Sequence, residues 1–182
     1  NSINVTQTIT VDDTTLPTAS NPAPVAVQCS ADVPLPDVTV VIDEADNCTA
    51  SPIVQHGGDI SDGNTCPEII TRTWTYTDAC GNAASVSQTI TVDDNTDPTA
   101  TGPADVAVEC IGDIPAIDIT SVTASDNCTA APVVAHVSDV SDGNTCPEVI
   151  TRTYSVSDDC GNTINVIQLI TVDDNTAPVF AA

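Results

Sequence analysis

The stretch Thr71–Thr77 reads TRTWTYT, and Thr151–Ser157 returns it as TRTYSVS. A period of two places successive side chains on opposite faces of an extended strand. Thr71, Thr73, Thr75 and Thr77 line one face, and Arg72, Trp74 and Tyr76 line the other. β-Branched and aromatic residues suit such a pleated surface. The spacing predicts a strand with its aromatic face buried and its hydroxyl face wet.

The flanking sequence continues the pattern. Val86–Val92 (VSQTITV) alternates, as does Val166–Val172, and Val25–Val27, Val38–Ile42 and Ile53–Gln55 are further strand candidates. Ala79-Cys80-Gly81-Asn82 reads as a short hairpin and Asp62-Gly63-Asn64 as a loop. Helix signals are absent. About seven short strands per about 80 residues, broken by turns, predict an all-β chain of tandem antiparallel immunoglobulin-like β-sandwiches.

Self-comparison defines the repeats. Cys48–Asp94 aligns without gaps to Cys128–Asp174, with about two positions in three identical. Cys29 corresponds to Cys110 at an offset one residue longer, so one residue is missing between Cys110 and Cys128. The string ITVDD occurs three times, at Ile9–Asp13, Ile90–Asp94 and Ile170–Asp174, whereas SDGNTCPE occurs twice. ITVDD therefore closes a repeat. The expected division is 1–13, the last strand of a preceding repeat; 14–94, repeat 1; 95–174, repeat 2; and 175–182, the start of a following repeat. The rival reading makes 1–13 an orphan strand that completes a neighbouring molecule by strand addition.

The chain of 182 residues carries 26 acids against two Arg and no Lys, for a net charge of −24. Such a polyanion repels nucleic acid and anionic membranes and attracts divalent cations. With 41% apolar residues in alternation, it reads as folded rather than disordered. No apolar run is long enough for a bilayer, so no membrane insertion is expected in this segment. A core this small, with one Trp in all, needs covalent help.

Eight Cys provide it, four per half and none in a CxxC pair, which reads as disulfides in an oxidising, extracytoplasmic setting rather than structural zinc. Cys66 and Cys80 flank one long strand and cannot meet. If that strand is sixth in an immunoglobulin-like order, it runs parallel to the second strand in the facing sheet. The expected cystines are then Cys29–Cys66, Cys48–Cys80, Cys110–Cys146 and Cys128–Cys160, two per repeat. If it is the fifth strand, Cys29–Cys80 and Cys48–Cys66 follow instead. Each cystine would contribute about 2–4 kcal/mol.

Acidic turns recur with the repeats. Each junction reads D-D-x-T-x-P, at Asp12-Asp13, Asp93-Asp94 and Asp173-Asp174. Asp46 and Asp78 lie in two loops expected at the same end of the sandwich. Asp12, Asp13, Asp46 and Asp78 would converge there, as would Asp93, Asp94, Asp126 and Asp158. Loop carboxylates gathered this way suit Ca²⁺, which takes six to eight oxygens at about 2.3–2.6 Å. The DISDGN loop offers a second set: Asp59, Asp62 and Asn64, with copies Asp139, Asp142 and Asn144. The reading without metal is that Asp and Asn cap these turns through their own backbone.

Other motifs carry less. Asn4, Asn47 and Asn127 begin glycosylation sequons. His56 and His136 have no nucleophile beside them and read as non-catalytic. Arg72 shares a strand face with Glu68, and Arg152 with Glu148, which predicts structural ion pairs. With 2% aromatics there is no stacking platform for sugars or bases. No phosphate loop or catalytic triad is present, and no enzyme is expected.

The string RTWTYTDACGNAASVSQTITVDDNTDP resembles the end of hyalin-type (HYR-like) repeats, immunoglobulin-like modules of extracellular proteins. With VQCSADVP, DNCTA and NTCPEIITRTW, the four-Cys form is similar to arrays in giant surface adhesins of Bacteroidetes, including gliding-motility adhesins of the SprB type. The resemblance implies type IX export, display on the outer cell surface, and adhesion or filament formation. The chain thus reads as a calcium-stiffened stalk segment of an adhesin or fibre. Its expected partners are neighbouring repeats of the same chain, surface polysaccharide or like filaments. The alternatives are a self-assembling filament subunit or an accessory module of a secreted enzyme.

Overall fold

The structure is a computed structural model describing residues 1–179. The chain divides into two compact units, Asn1–Asp93 and Asp94–Ala182. It is all-β with sandwich-like sheets, and its helical content is confined to single 3-10 turns.

In the first unit β1 (Val25–Val27), β2 (Ile53–Ser61), β3 (Glu68–Thr77) and β4 (Ala83–Val92) form a sheet in the order β1-β4-β3-β2. β3 runs antiparallel to β2 and β4, and β1 is parallel to β4. The second unit has β5 (Thr99–Thr101), β6 (Val106–Val108), β7 (Thr123–Ser125), β8 (Val133–Ser141), β9 (Glu148–Ser157) and β10 (Thr163–Val172). Its main sheet runs β6-β10-β9-β8, and β5 pairs with β7. In the first unit that small pair is reduced to one bridge, Thr18 to Ala45.

The TRTWTYT strand behaves as its alternation requires. Arg72, Trp74 and Tyr76 are buried, and the threonines between them are partly or fully exposed. The β3–β4 register sets Trp74 beside Val86, Arg72 beside Gln88 and Ile70 beside Ile90. The buried face is therefore tiered. Trp74, Tyr76, Val86 and Val41 form one apolar layer, and Ile90 and Val92 are buried farther along β4. Between these lies a polar row, Arg72 and Gln88, 3% and 6% exposed. The second unit repeats the plan, with Tyr154 and Val156 on one side of Arg152 and Gln168 and with Ile150, Ile170 and Val172 on the other.

The polar row reaches across to irregular chain. Gln88 Nε2 donates to the Ala23 carbonyl at 2.9 Å, and Gln168 Nε2 to that of Ala104 at 2.8 Å. These bonds anchor loops where a second sheet offers few ladder bonds.

Two expectations are corrected. Val38–Ile42 is not a strand: Val38–Val40 is a 3-10 turn, because the Asp37 carboxylate accepts the Thr39 N–H at 2.9 Å and curls the chain. Residues 1–13 form no strand, and Ile3, Val5, Ile9 and Val11 are exposed.

The second correction concerns the cystines. Cys29, Cys66, Cys128 and Cys160 are disulfide-bonded. Cys48, Cys80, Cys110 and Cys146 are exposed free thiols. The expected Cys48–Cys80 and Cys110–Cys146 bonds do not form, nor do the alternatives Cys29–Cys80 and Cys48–Cys66, since each needs a cysteine that is free; both ends of the expected Cys29–Cys66 and Cys128–Cys160 are in the bonded set. The chain has two disulfides in all, not two per repeat. Each unit carries two bonded cysteines, Cys29 and Cys66 in the first and Cys128 and Cys160 in the second, and these are not equivalent positions of the repeat.

Candidate metal centre

The first two junction Asp pairs split, with the second Asp buried in each. Asp12 is exposed and Asp13 is buried. Asp13 Oδ1 accepts the Thr15 N–H at 3.0 Å, and this bond holds the Asp13 carboxyl below the usual carboxylate range. Asp46 follows the bridge residue Ala45 and turns the chain there: its Oδ2 accepts the N–H groups of Cys48 and Thr49 at 2.9 and 2.8 Å. Asp78 begins the β3–β4 hairpin. Its Oδ1 accepts from the Cys80 and Asn82 amides at 2.9 and 2.8 Å.

These turns bring Asp13, Asp46 and Asp78 together, each offering an oxygen within 4.8 Å of the others. Two further residues brace the group. Asn82 Nδ2 donates both to the Asp13 carbonyl at 2.9 Å and to Asp78 Oδ2 at 2.7 Å. Thr49 Oγ1 accepts the Ala79 N–H at 3.0 Å and joins the Asp46 turn to the hairpin. Both lie in strings that recur in the sequence, DNCT and CGN, but their bracing of the aspartates needs long-range contacts that spacing does not show.

The second unit builds the same arrangement from Asp94, Asp126 and Asp158. Asp126 Oδ2 accepts from Cys128 and Thr129, and the Thr129 bond holds the Asp126 carboxyl low. Asn162 Nδ2 donates to the Asp94 carbonyl at 2.9 Å and to Asp158 Oδ2 at 2.7 Å. Here the tight group is Asp94, Asp126 and the Sγ of Cys128; Asp158 stands outside it. Cys128 is disulfide-bonded and offers no thiolate.

Asp12 and Asp93 belong to neither group. The Asp93 amide instead donates to the Val27 carbonyl at 3.0 Å, extending the β1–β4 pairing. The DISDGN set also separates. Asp62 Oδ1 accepts the Asn64 and Ile69 amides at 3.0 and 3.1 Å, and Asp62 Oδ2 accepts Asn64 Nδ2 at 2.9 Å, a self-contained turn. Asp142 and Asn144 do the same. Asp59 and Asp139 serve arginine.

Arg72 forks onto Asp59, Nε to Oδ1 at 2.9 Å and Nη2 to Oδ2 at 2.8 Å, and its Nη1 donates to the Pro34 carbonyl at 2.8 Å. Arg152 repeats this with Asp139 and Pro115. The expected partners Glu68 and Glu148 are not used. Asp59 sits directly opposite Arg72 across the β2–β3 ladder, while Glu68 lies four residues along the same strand and accepts from Ser61 Oγ. His56 and His136 join the clusters through Nε2 at 2.9 Å from Asp59 and Asp139.

Residues 17–92 match the family model of the HYR-like domain with 4 cysteines. No curated protein matches the chain. No helix among the described residues is long and apolar enough to cross a membrane. The HYR-like match is to a structural rather than an enzymatic domain type, and with its disulfide-bonded cysteines it marks residues 17–92 as an extracellular repeat module.

Proposed function

We propose that this chain is a stalk segment of a long extracellular adhesin or fibre, of the kind displayed on the surface of gliding Bacteroidetes and exported by their type IX system. The observation that carries this reading is duplication. The same acidic module, HYR-like over residues 17–92, occurs twice in tandem and bears disulfide-bonded cysteines. A duplicated module adds length, and its covalent bonds limit extension under load. The high negative charge keeps neighbouring fibres apart. The stalk's neighbours in the chain are like repeats, and surface polysaccharide is the ligand class for the whole adhesin.

Deleting these two repeats in frame from the producing organism tests it. Surface fibres should shorten in electron micrographs by about the length of two modules, and attachment under shear should weaken. Unchanged fibres, or a chain found only inside the cell, would overturn the reading.

One observation favours a self-assembling filament instead. Ile3, Val5, Ile9 and Val11 are exposed in a segment whose sequence matches β4. An exposed segment of that sequence can add as a strand to the sheet of another copy. Concentration-dependent filaments of the isolated chain, lost on removing residues 1–12, would favour it.

A further inference from the structure

The Asp13 cluster contains two oxygens that the protein leaves without partners. Asp13 is 7% exposed, yet its Oδ2 is buried with no hydrogen-bond donor, and Asp46 Oδ1 is in the same state. The second unit repeats both features at Asp94 Oδ2 and Asp126 Oδ1, with Asp94 4% exposed. A buried anionic oxygen without a donor is costly, and the same pair recurs in both units.

The chain has no cation of its own to supply. It has no Lys, and its two Arg are committed to Asp59 and Asp139. A proton shared by the two carboxyls would satisfy the same atoms. The titration below separates the two cases, because a shared proton would leave no saturable heat with Ca²⁺.

We propose that each unit binds one Ca²⁺ ion, through Asp13 Oδ2 and Asp46 Oδ1 with Asp78 beside them in the first unit, and through Asp94 Oδ2 and Asp126 Oδ1 with Asp158 beside them in the second. Oxygens bound to one Ca²⁺ at about 2.3–2.6 Å lie at most about 5 Å apart, which the 4.8 Å grouping of Asp13, Asp46 and Asp78 meets. The ligand type is hard oxygen: the first set is three carboxylates within reach of one ion, and the second places Asp94 and Asp126 together with Asp158 outside the tight group. Water completes the shell. The site lies within one unit, and Asp12, Asp93 and the DISDGN loops take no part. The inference stands whether or not the module is a stalk.

The test is calorimetric titration of CaCl₂ into the disulfide-intact chain after EDTA treatment. Two ions per chain are expected. The double variant Asp13→Asn/Asp46→Asn should bind one, and Asp94→Asn/Asp126→Asn one. Combining all four substitutions should abolish binding, and Asp62→Asn should leave two. Circular dichroism in EDTA checks each fold. Removing like charges should leave the melting temperature of each double variant in EDTA at or above that of the wild type, so lost binding cannot be assigned to unfolding. No saturable heat in the parent chain, stoichiometry unchanged by the double variants, or Mg²⁺ binding as tightly as Ca²⁺ would overturn the proposal.

Discussion

The Arg72 fork and the Asp13–Asp46 pair both bury charge in the first unit, and they resolve it in opposite ways. The fork is closed. Two Arg72 nitrogens meet two Asp59 oxygens, and a third reaches the Pro34 carbonyl. The aspartate pair is open, with one oxygen of each carboxylate unpartnered. Both follow from the same cation scarcity. A strand position directly opposite an Asp can use one of only two arginines, whereas a loop cluster at the edge of the unit must draw on solvent. An internal ion pair is thus part of the folded state, and the open pair ties stability to the medium.

Breaking the closed site should cost most. Arg72→Met strands the Asp59 carboxylate and frees the loop at Pro34, and the first unit should lose about 3 kcal/mol in urea unfolding. Arg152→Met should do the same to the second unit. Filling the open site should have the next largest effect: Ca²⁺ at 100 times its Kd should stabilise each unit by about 2.7 kcal/mol, read as a rise in melting temperature that EDTA reverses.

Acid separates the two sites further. Arg72 and Arg152 hold Asp59 and Asp139 down to a pKa of about 2, against an ordinary value of 3.8. A depressed folded pKa stabilises the fold above the unfolded value, and the contribution disappears as pH falls from about 4 through about 2. Because each aspartate side chain is 33% exposed, screening leaves about 1–2 kcal/mol per fork. Stability followed from pH 5 to pH 2 in EDTA should therefore fall, and Arg72→Met should flatten the first unit's share. The smallest effect belongs to the hairpin that presents Asp78. Gly81 has φ +93°, so Gly81→Ala should cost about 1 kcal/mol and weaken Ca²⁺ binding in the first unit alone.

The strands were legible where alternation was strict. TRTWTYT and VSQTITV announced β3 and β4 because one buried face demands period two. Val38–Ile42 misled because the Asp37 side chain outcompetes the ladder for the Thr39 amide, a local bond that apolar pattern does not register. The aspartate cluster was half legible. Recurrence picked out Asp13, Asp46 and Asp78, but which Asp of each pair turns inward depends on bonds such as Asn82 to the Asp13 carbonyl, 69 residues apart. Glu68 misled as the Arg72 partner because face-sharing along one strand says nothing of the residue across the ladder. Spacing announced a disulfide framework but not which cysteines would bond, since Cys29 and Cys66 are bonded while their counterparts Cys110 and Cys146 are free.

Trp74 gives the molecule an optical asymmetry. It is the sole tryptophan, 1% exposed, with the His56 ring edge-on at a centroid distance of 5.5 Å, and Tyr154 takes its place in the second unit. Excited at wavelengths that tyrosine does not absorb, the chain emits from the first unit alone. A red shift marks that unit opening to water, and opening of the second leaves the emission unchanged. Intrinsic fluorescence and circular dichroism, recorded together on the unmodified chain, therefore assign each unfolding step to its unit.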